Sequence, residues 1–234
     1  MKKIIYILSV CFVILINFAC TEIDNYAEPK ETFKGRFIDK TTGENFICET
    51  GNLKVKLEEL SWSDTPTPQE IPSKYDGTFQ DTRLFAGHYR VTPFAGPFWP
   101  VEPIELDIKG VTERNFELTP YLKIKDMSHS LSGNTLTFKC KLEAPIKINL
   151  PRIVEIKPFL NVSPYVGNGA TINQYSDNKI TIEQNWSDEI ANTEYTITVP
   201  NLLTGRTFYA RLGAQVDDSY RGYNYSEIIE IKVP

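Results

Sequence analysis

Leu202-Leu203-Thr204-Gly205-Arg206-Thr207-Phe208-Tyr209-Ala210-Arg211-Leu212-Gly213-Ala214 decides how the second half of the chain is read. Thr204-Gly205 supplies a turn. After it, Phe208, Ala210 and Leu212 alternate with polar or small neighbours, the two-residue period of a strand with one face in a core. Working outward, comparable short segments lie at 122–127, 135–142, 153–160, 179–183, 195–199 and 226–233. With 207–214 they make seven strands separated by turn-rich gaps, which predicts a two-sheet sandwich over 120–234.

The first half follows the same grammar. Phe33-Lys34-Gly35-Arg36-Phe37-Ile38-Asp39 alternates and runs into Thr41-Thr42-Gly43-Glu44, and further strands are expected at 53–57, 78–84, 89–94, 104–108 and 115–118. Asp76-Gly77, Ala86-Gly87 and Lys109-Gly110 divide them. Thr119-Pro120 breaks the pairing pattern, so the boundary between a first domain (32–119) and a second (120–234) is expected there. No helical period stands out beyond the N-terminal leader. The fold class is therefore all-β, two sandwiches in tandem.

Two resemblances sharpen this. Asp76-Gly77-Thr78-Phe79 with Leu84-Phe85-Ala86-Gly87-His88-Tyr89-Arg90-Val91 resembles carboxypeptidase-regulatory-like, transthyretin-shaped domains, whereas 202–214 resembles the approach to strand F of fibronectin type III domains. Those domains usually carry tyrosine at the aromatic position, with a hydroxyl bonded to the backbone. Phe208 stands there in this chain, so the tyrosine corner is expected to be absent. Asp24-Asn25-Tyr26, Gly35-Arg36, Asp39-Lys40-Thr41-Thr42-Gly43-Glu44 and Gly96-Pro97-Phe98-Trp99-Pro100-Val101 add a third resemblance, to a family of two-domain lipoproteins from Bacteroidetes without an established activity. That resemblance implies an accessory role beside nutrient-import components of polysaccharide-utilisation systems.

The N-terminus places the protein. Lys2 and Lys3, an apolar run from Ile4 to Leu15, and Ala19 before Cys20 form a lipoprotein leader, too short for a confident membrane span. Residues 1–19 read as signal peptide, Cys20 as the lipidated residue and 20–31 as a polar tether, so the membrane is expected as a partner through a lipid anchor. Glu22 and Asp24 agree with surface export from the outer membrane. The formal charge is −5, about −7 once Lys2 and Lys3 are removed, which argues against nucleic acid as a partner. Cys48 and Cys140 fall in different domains and read as reduced thiols, with Cys140 in the core pattern of Leu136, Phe138 and Leu142.

Catalytic equipment is not suggested. His88 and His129 lie in different domains without metal-ligand spacing, and the acid pairs Glu58-Glu59, Asp188-Glu189 and Asp217-Asp218 read as solvated rather than as paired catalytic carboxylates. Val166-Gly167-Asn168-Gly169-Ala170 lacks the lysine and helix of a phosphate loop and reads as a mobile turn. No enzyme activity, cofactor or metal is expected.

Aromatic residues, 12% of the chain, are the surplus. Flat rings stack on the C–H faces of sugars, so Trp186 and the Tyr220-Arg221-Gly222-Tyr223 stretch are the candidate ligand-binding residues, meeting at one end of the second sandwich. Inter-domain packing is the competing role for the same side chains. Tyr165 and Tyr175 are expected near the opposite end, with Tyr165 as the further candidate. Phe98-Trp99 reads as a plug over the first sandwich, and Trp62, before Thr65-Pro66-Thr67-Pro68, is left open between packing and binding. The functional expectation is a non-catalytic surface lipoprotein that binds a glycan or scaffolds an uptake system, with outer-membrane transporter components as candidate partners. A structural lipoprotein bracing a transporter and a protein-binding adhesin are the alternatives.

Overall fold

The computed structural model describes residues 27–234; the leader, Cys20 and most of the tether lie outside the described residues. The first domain is a sandwich of two sheets. One holds β1 (Glu31–Asp39) between β4 (Thr78–Leu84) and, in parallel, β7 (Val111–Glu113) and β8 (Phe116–Leu118). The other runs β3 (Gln69–Pro72), β2 (Lys54–Glu59), β5 (Gly87–Phe94), β6 (Ile104–Ile108). Alternation along β1 buries Phe33 and Phe37, which meet Phe79 at 5.5 and 5.1 Å, and Val55, Leu57, Tyr89 and Val91 cover them from the second sheet. Gly35 lies where β1 changes partner from β7 to β8. A Cβ there would sit 1.8 Å from the Arg114 carbonyl oxygen, so only glycine fits.

The second domain pairs β9 (Lys123–Ser132), β10 (Thr135–Glu143) and β13 (Tyr195–Val199) against β12 (Ile180–Gln184), β11 (Ile153–Asn161), β14 (Thr207–Val216), β15 (Tyr223–Tyr225) and β16 (Ile229–Lys232). This is the sheet division of a fibronectin type III sandwich. Two short helices interrupt the all-β pattern. In α1 (Asn173–Ser176), Tyr175 is buried and stands edge-on to Phe208 at 5.6 Å, so it is a core residue rather than part of an exposed tip. The second, α2 (Asp188–Asn192), is capped by the Ser187 hydroxyl, which accepts from the Ile190 N–H. Cys48 and Cys140 are buried free thiols.

Burial along β14 explains how the domains join. Phe208, Ala210, Leu212, Ala214 and Val216 point into the sandwich, as their alternation predicts. Arg211, Gly213 and Gln215, on the opposite face, are buried too: Arg211 lies against the first domain, Gly213 beneath Phe159 and Tyr223, and Gln215 donates to the Arg221 carbonyl. Arg211 donates from Nη1 to the Cys48 carbonyl oxygen (3.1 Å), and Phe159, Val166, Tyr223 and Tyr225 form a small apolar cluster that Ile47 of the first domain joins. The linker is fixed as well: Phe98 and Pro120 form a bridge, and buried Asn224 accepts from the Leu122 N–H and donates to the Pro97 carbonyl. The domains are packed side by side.

Candidate functional site

That packing leaves a groove along one margin of the interface, walled by both domains. One part, about 430 Å³, is lined by Glu49, Thr50 and Asn52 from the first domain and by Tyr165, Gly169 and Tyr220 from the second. A neighbouring part, about 540 Å³, is lined by Lys56, Phe94, Pro100, Tyr121, Asp218 and again Tyr220. Tyr220 stands between them. Both volumes fall within the range of small-molecule sites, roughly 300–1,000 Å³.

Each exposed tyrosine is held by a ring across the interface. Tyr220, 54% exposed, stands edge-on to Phe94 at 6.2 Å, while Tyr165, 55% exposed, does the same with Tyr75 at 4.9 Å. Edge-on support leaves ring area open while fixing the plane. Polar groups lie between the rings. Glu49 accepts from the Gly169 N–H at 2.9 Å, and the Asn52 side-chain oxygen is buried without a hydrogen-bond partner. Burial raises the pKa of Asp218, which accepts from the Arg221 N–H at 2.7 Å.

Several expectations are corrected here. Tyr165 does not point from a far tip. The 162–170 connection folds back onto the first domain, and the glycine turn in it is an interface element rather than a mobile loop, since a Cβ on Gly167 would lie 2.2 Å from the Glu49 carboxylate. Tyr165 and Tyr220, expected at opposite ends, therefore line one groove. Tyr223 is buried in β15, where it donates its hydroxyl to Glu155 of its own domain at 2.6 Å and belongs to the cluster that Ile47 of the first domain joins, so it packs at the interface rather than facing a ligand. Trp186 follows β12 at one edge of the sheet, whereas Tyr220 precedes β15 at the other. Three strand spacings, about 14 Å, separate those edges, and Trp186 is half-buried against the second core.

Between the two edges lies an ion network. Arg152 reaches Glu183 and, at 3.0 Å, Asp217, which Arg221 pairs at 2.8 Å; Asp217 is thus engaged rather than simply solvated. Phe98 does plug the first core, but Trp99 turns to the second, edge-on to Tyr121 at 5.2 Å. Tyr75, Phe94, Asn52 and Glu49 carried no signal that could have marked them in the sequence. Their role follows from which face the second domain covers.

Fold and groove together define a class: a tandem of a transthyretin-like and a fibronectin type III-like β-sandwich, closely apposed, with an aromatic groove between them. The chain belongs to DUF3823, a protein family of unknown function, matching its N-terminal domain over residues 31–119 and its C-terminal domain over 122–230. A DUF3823 protein from Bacteroides uniformis is 25% identical, with a TM-score of 0.78 over 88% of this chain and 100% of that one. A candidate carbohydrate binding protein from Bacteroides uniformis is 24% identical, with a TM-score of 0.72 over 87% and 99%. A DUF3823 protein from Parabacteroides merdae is 19% identical, with a TM-score of 0.67 over 88% and 100%. No curated protein matches.

Proposed function

We propose that this protein is a non-catalytic, lipid-anchored surface protein of the outer membrane that binds a glycan in the groove between its domains, as an accessory part of a polysaccharide-uptake system. The observation that carries the reading is the pair Tyr165 and Tyr220. Both rings are exposed, each is braced by an aromatic of the other domain, and they share a groove with polar side chains. Separated rings with hydroxyl-binding neighbours suit a sugar chain, whereas a protein partner would favour a broad continuous apolar patch. The description given to the second Bacteroides uniformis protein points the same way. Lipid attachment at Cys20 supplies the location.

Calorimetric titration against plant, microbial and host polysaccharides tests the binding. A glycan that binds should do so about tenfold more weakly to Tyr165→Ala and to Tyr220→Ala, with melting temperatures almost unmoved. Absence of binding across the panel, or binding indifferent to both substitutions, would remove the groove as the site. Fatty-acid labelling that is equal in the wild type and Cys20→Ala would remove the anchor.

A further inference from the structure

The loop that carries Tyr220 into the groove also carries Asp218, and it is held at several points. Asp218 accepts from the Arg221 N–H at 2.7 Å, Gln215 of β14 donates to the Arg221 carbonyl, and a Cβ on Gly222 would lie 3.0 Å from the Pro97 ring of the first domain. Arg221 has a left-handed backbone (φ 50°), as does Ala95 (φ 58°) after Phe94, so Tyr220 and the ring that braces it each sit beside a tight turn. Ala95 borders both parts of the groove, which therefore adjoin there as well as at Tyr220.

Charge around Tyr220 is one-sided. Glu49 lines the groove in one part and Asp218 in the other, and an ionised carboxylate only accepts hydrogen bonds. The cations nearby are turned to other partners. Lys56 pairs with Glu58 at 3.4 Å, Arg221 with Asp217 at 2.8 Å, and the buried Arg211 guanidinium faces the Tyr225 ring and the Cys48 carbonyl. Burial pushes the Asp218 carboxyl above its usual range although backbone N–H groups bond it, as expected of a poorly hydrated acceptor. A uronate or sulfate brought beside it would add a like charge where the first is already short of water, whereas a sugar hydroxyl would bring a donor.

Given glycan binding in the groove, on which this step rests, we infer that the groove selects an uncharged, hydroxyl-rich chain, a hydroxyl of the sugar stacked on Tyr220 donating to Asp218. Asp218 is then the specificity-determining residue, rejecting anionic chains and rewarding a hydroxyl placed next to the ring. The two adjoining parts, about 430 and 540 Å³, are each of small-molecule size, so a chain lying across Tyr220 fills them where a single sugar would leave one empty.

Calorimetry with matched oligosaccharides at one ionic strength tests this. The probes are linear hexamers of mannose, glucose and galactose, each beside the hexamer of its uronate. Wild type is expected to bind at least one neutral hexamer, at least about tenfold more tightly than the matching uronate. Asp218→Asn keeps an oxygen for the Arg221 N–H, so its melting temperature should be unchanged. It should bind the neutral hexamer about threefold more weakly and narrow the ratio of neutral to charged affinity. A uronate bound as tightly as its neutral counterpart, and weakened by Tyr220→Ala, would overturn the inference while leaving the groove as the site. So would a ratio that Asp218→Asn leaves unchanged. Binding of no hexamer, or binding indifferent to both Tyr165→Ala and Tyr220→Ala, would overturn the groove and this selectivity together.

Discussion

The guanidinium carbon of Arg211 lies 3.7 Å from the centre of the Tyr225 ring, and the same side chain crosses to the first domain to bond the Cys48 carbonyl. Arg211 is almost fully buried and its Nε atom has no partner, so the ring face offsets part of a large desolvation cost. Burial correspondingly lowers its pKa. One residue thus ties the aromatic cluster of the second sandwich to the backbone of the first.

Removing it should loosen that tie. Arg211→Ala leaves the Cys48 carbonyl short of a donor and a void beside Tyr225, which is expected to cost about 2–4 kcal/mol. Arg211→Met fills the space without a charge to desolvate and should recover at least about 1 kcal/mol of that loss. Urea unfolding of the three proteins checks both. Equal stability of Arg211→Ala and wild type would show that the contact braces nothing.

Trp186 should behave as packing. It is half-buried on the second core, with its indole N–H enclosed and unpartnered, so Trp186→Ala is expected to cost about 2–3 kcal/mol and to leave glycan affinity unchanged. Calorimetry beside thermal unfolding separates the two effects. A protein of normal stability that has lost its glycan would restore Trp186 as a binding residue.

Acid should reveal the buried carboxylate of Glu155. Burial alone would raise its pKa, but hydrogen bonds from Lys179 (2.6 Å) and Tyr223 outweigh that and hold it below the usual glutamate range. A depressed folded pKa contributes stability above the unfolded value of about 4.3, and that contribution is lost as pH falls through the folded pKa. Below about pH 4, wild type should therefore lose stability more steeply than Lys179→Met, in which Glu155 has lost its cation. Parallel acid titrations of unfolding for the two proteins are the measurement; identical slopes would contradict it.

How far the sequence carried this structure depends on where each face is buried. The β4, β6 and β13 strands coincide with the expected segments because apolar alternation there ends at turn residues. The β3 strand has a single buried residue, Ile71, and β7 has none, so neither produced a pattern to read. The inward face of β14 was legible from Phe208, Ala210 and Leu212. Burial of Arg211 was not, since its cover comes from a domain elsewhere in the chain. The site divides similarly. Surplus aromatics named Tyr165 and Tyr220, but only the return of the 162–170 connection puts them on one groove.

That return suggests the final prediction, that the two sandwiches unfold together. Adjacent domains move independently unless their interface is large and apolar, and here an aromatic cluster, the Asn224 bond to the Pro97 carbonyl and Arg211 all cross it. Gly167 is the close-approach point: an added Cβ would meet Glu49 Oε2 at 2.2 Å, Glu49 Cβ at 2.7 Å and Arg211 Nη2 at 2.9 Å. The carboxylate could swing away, but only by giving up the Gly169 bond, and the Glu49 Cβ and the buried guanidinium leave little room. Scanning calorimetry should show one transition for wild type, with calorimetric and van't Hoff enthalpies equal, and two for Gly167→Ala as the interface parts before either core melts. Two transitions already present in wild type would mean that the groove is a gap between independent domains, and a rigid sugar platform spanning Tyr165 and Tyr220 could not be sustained.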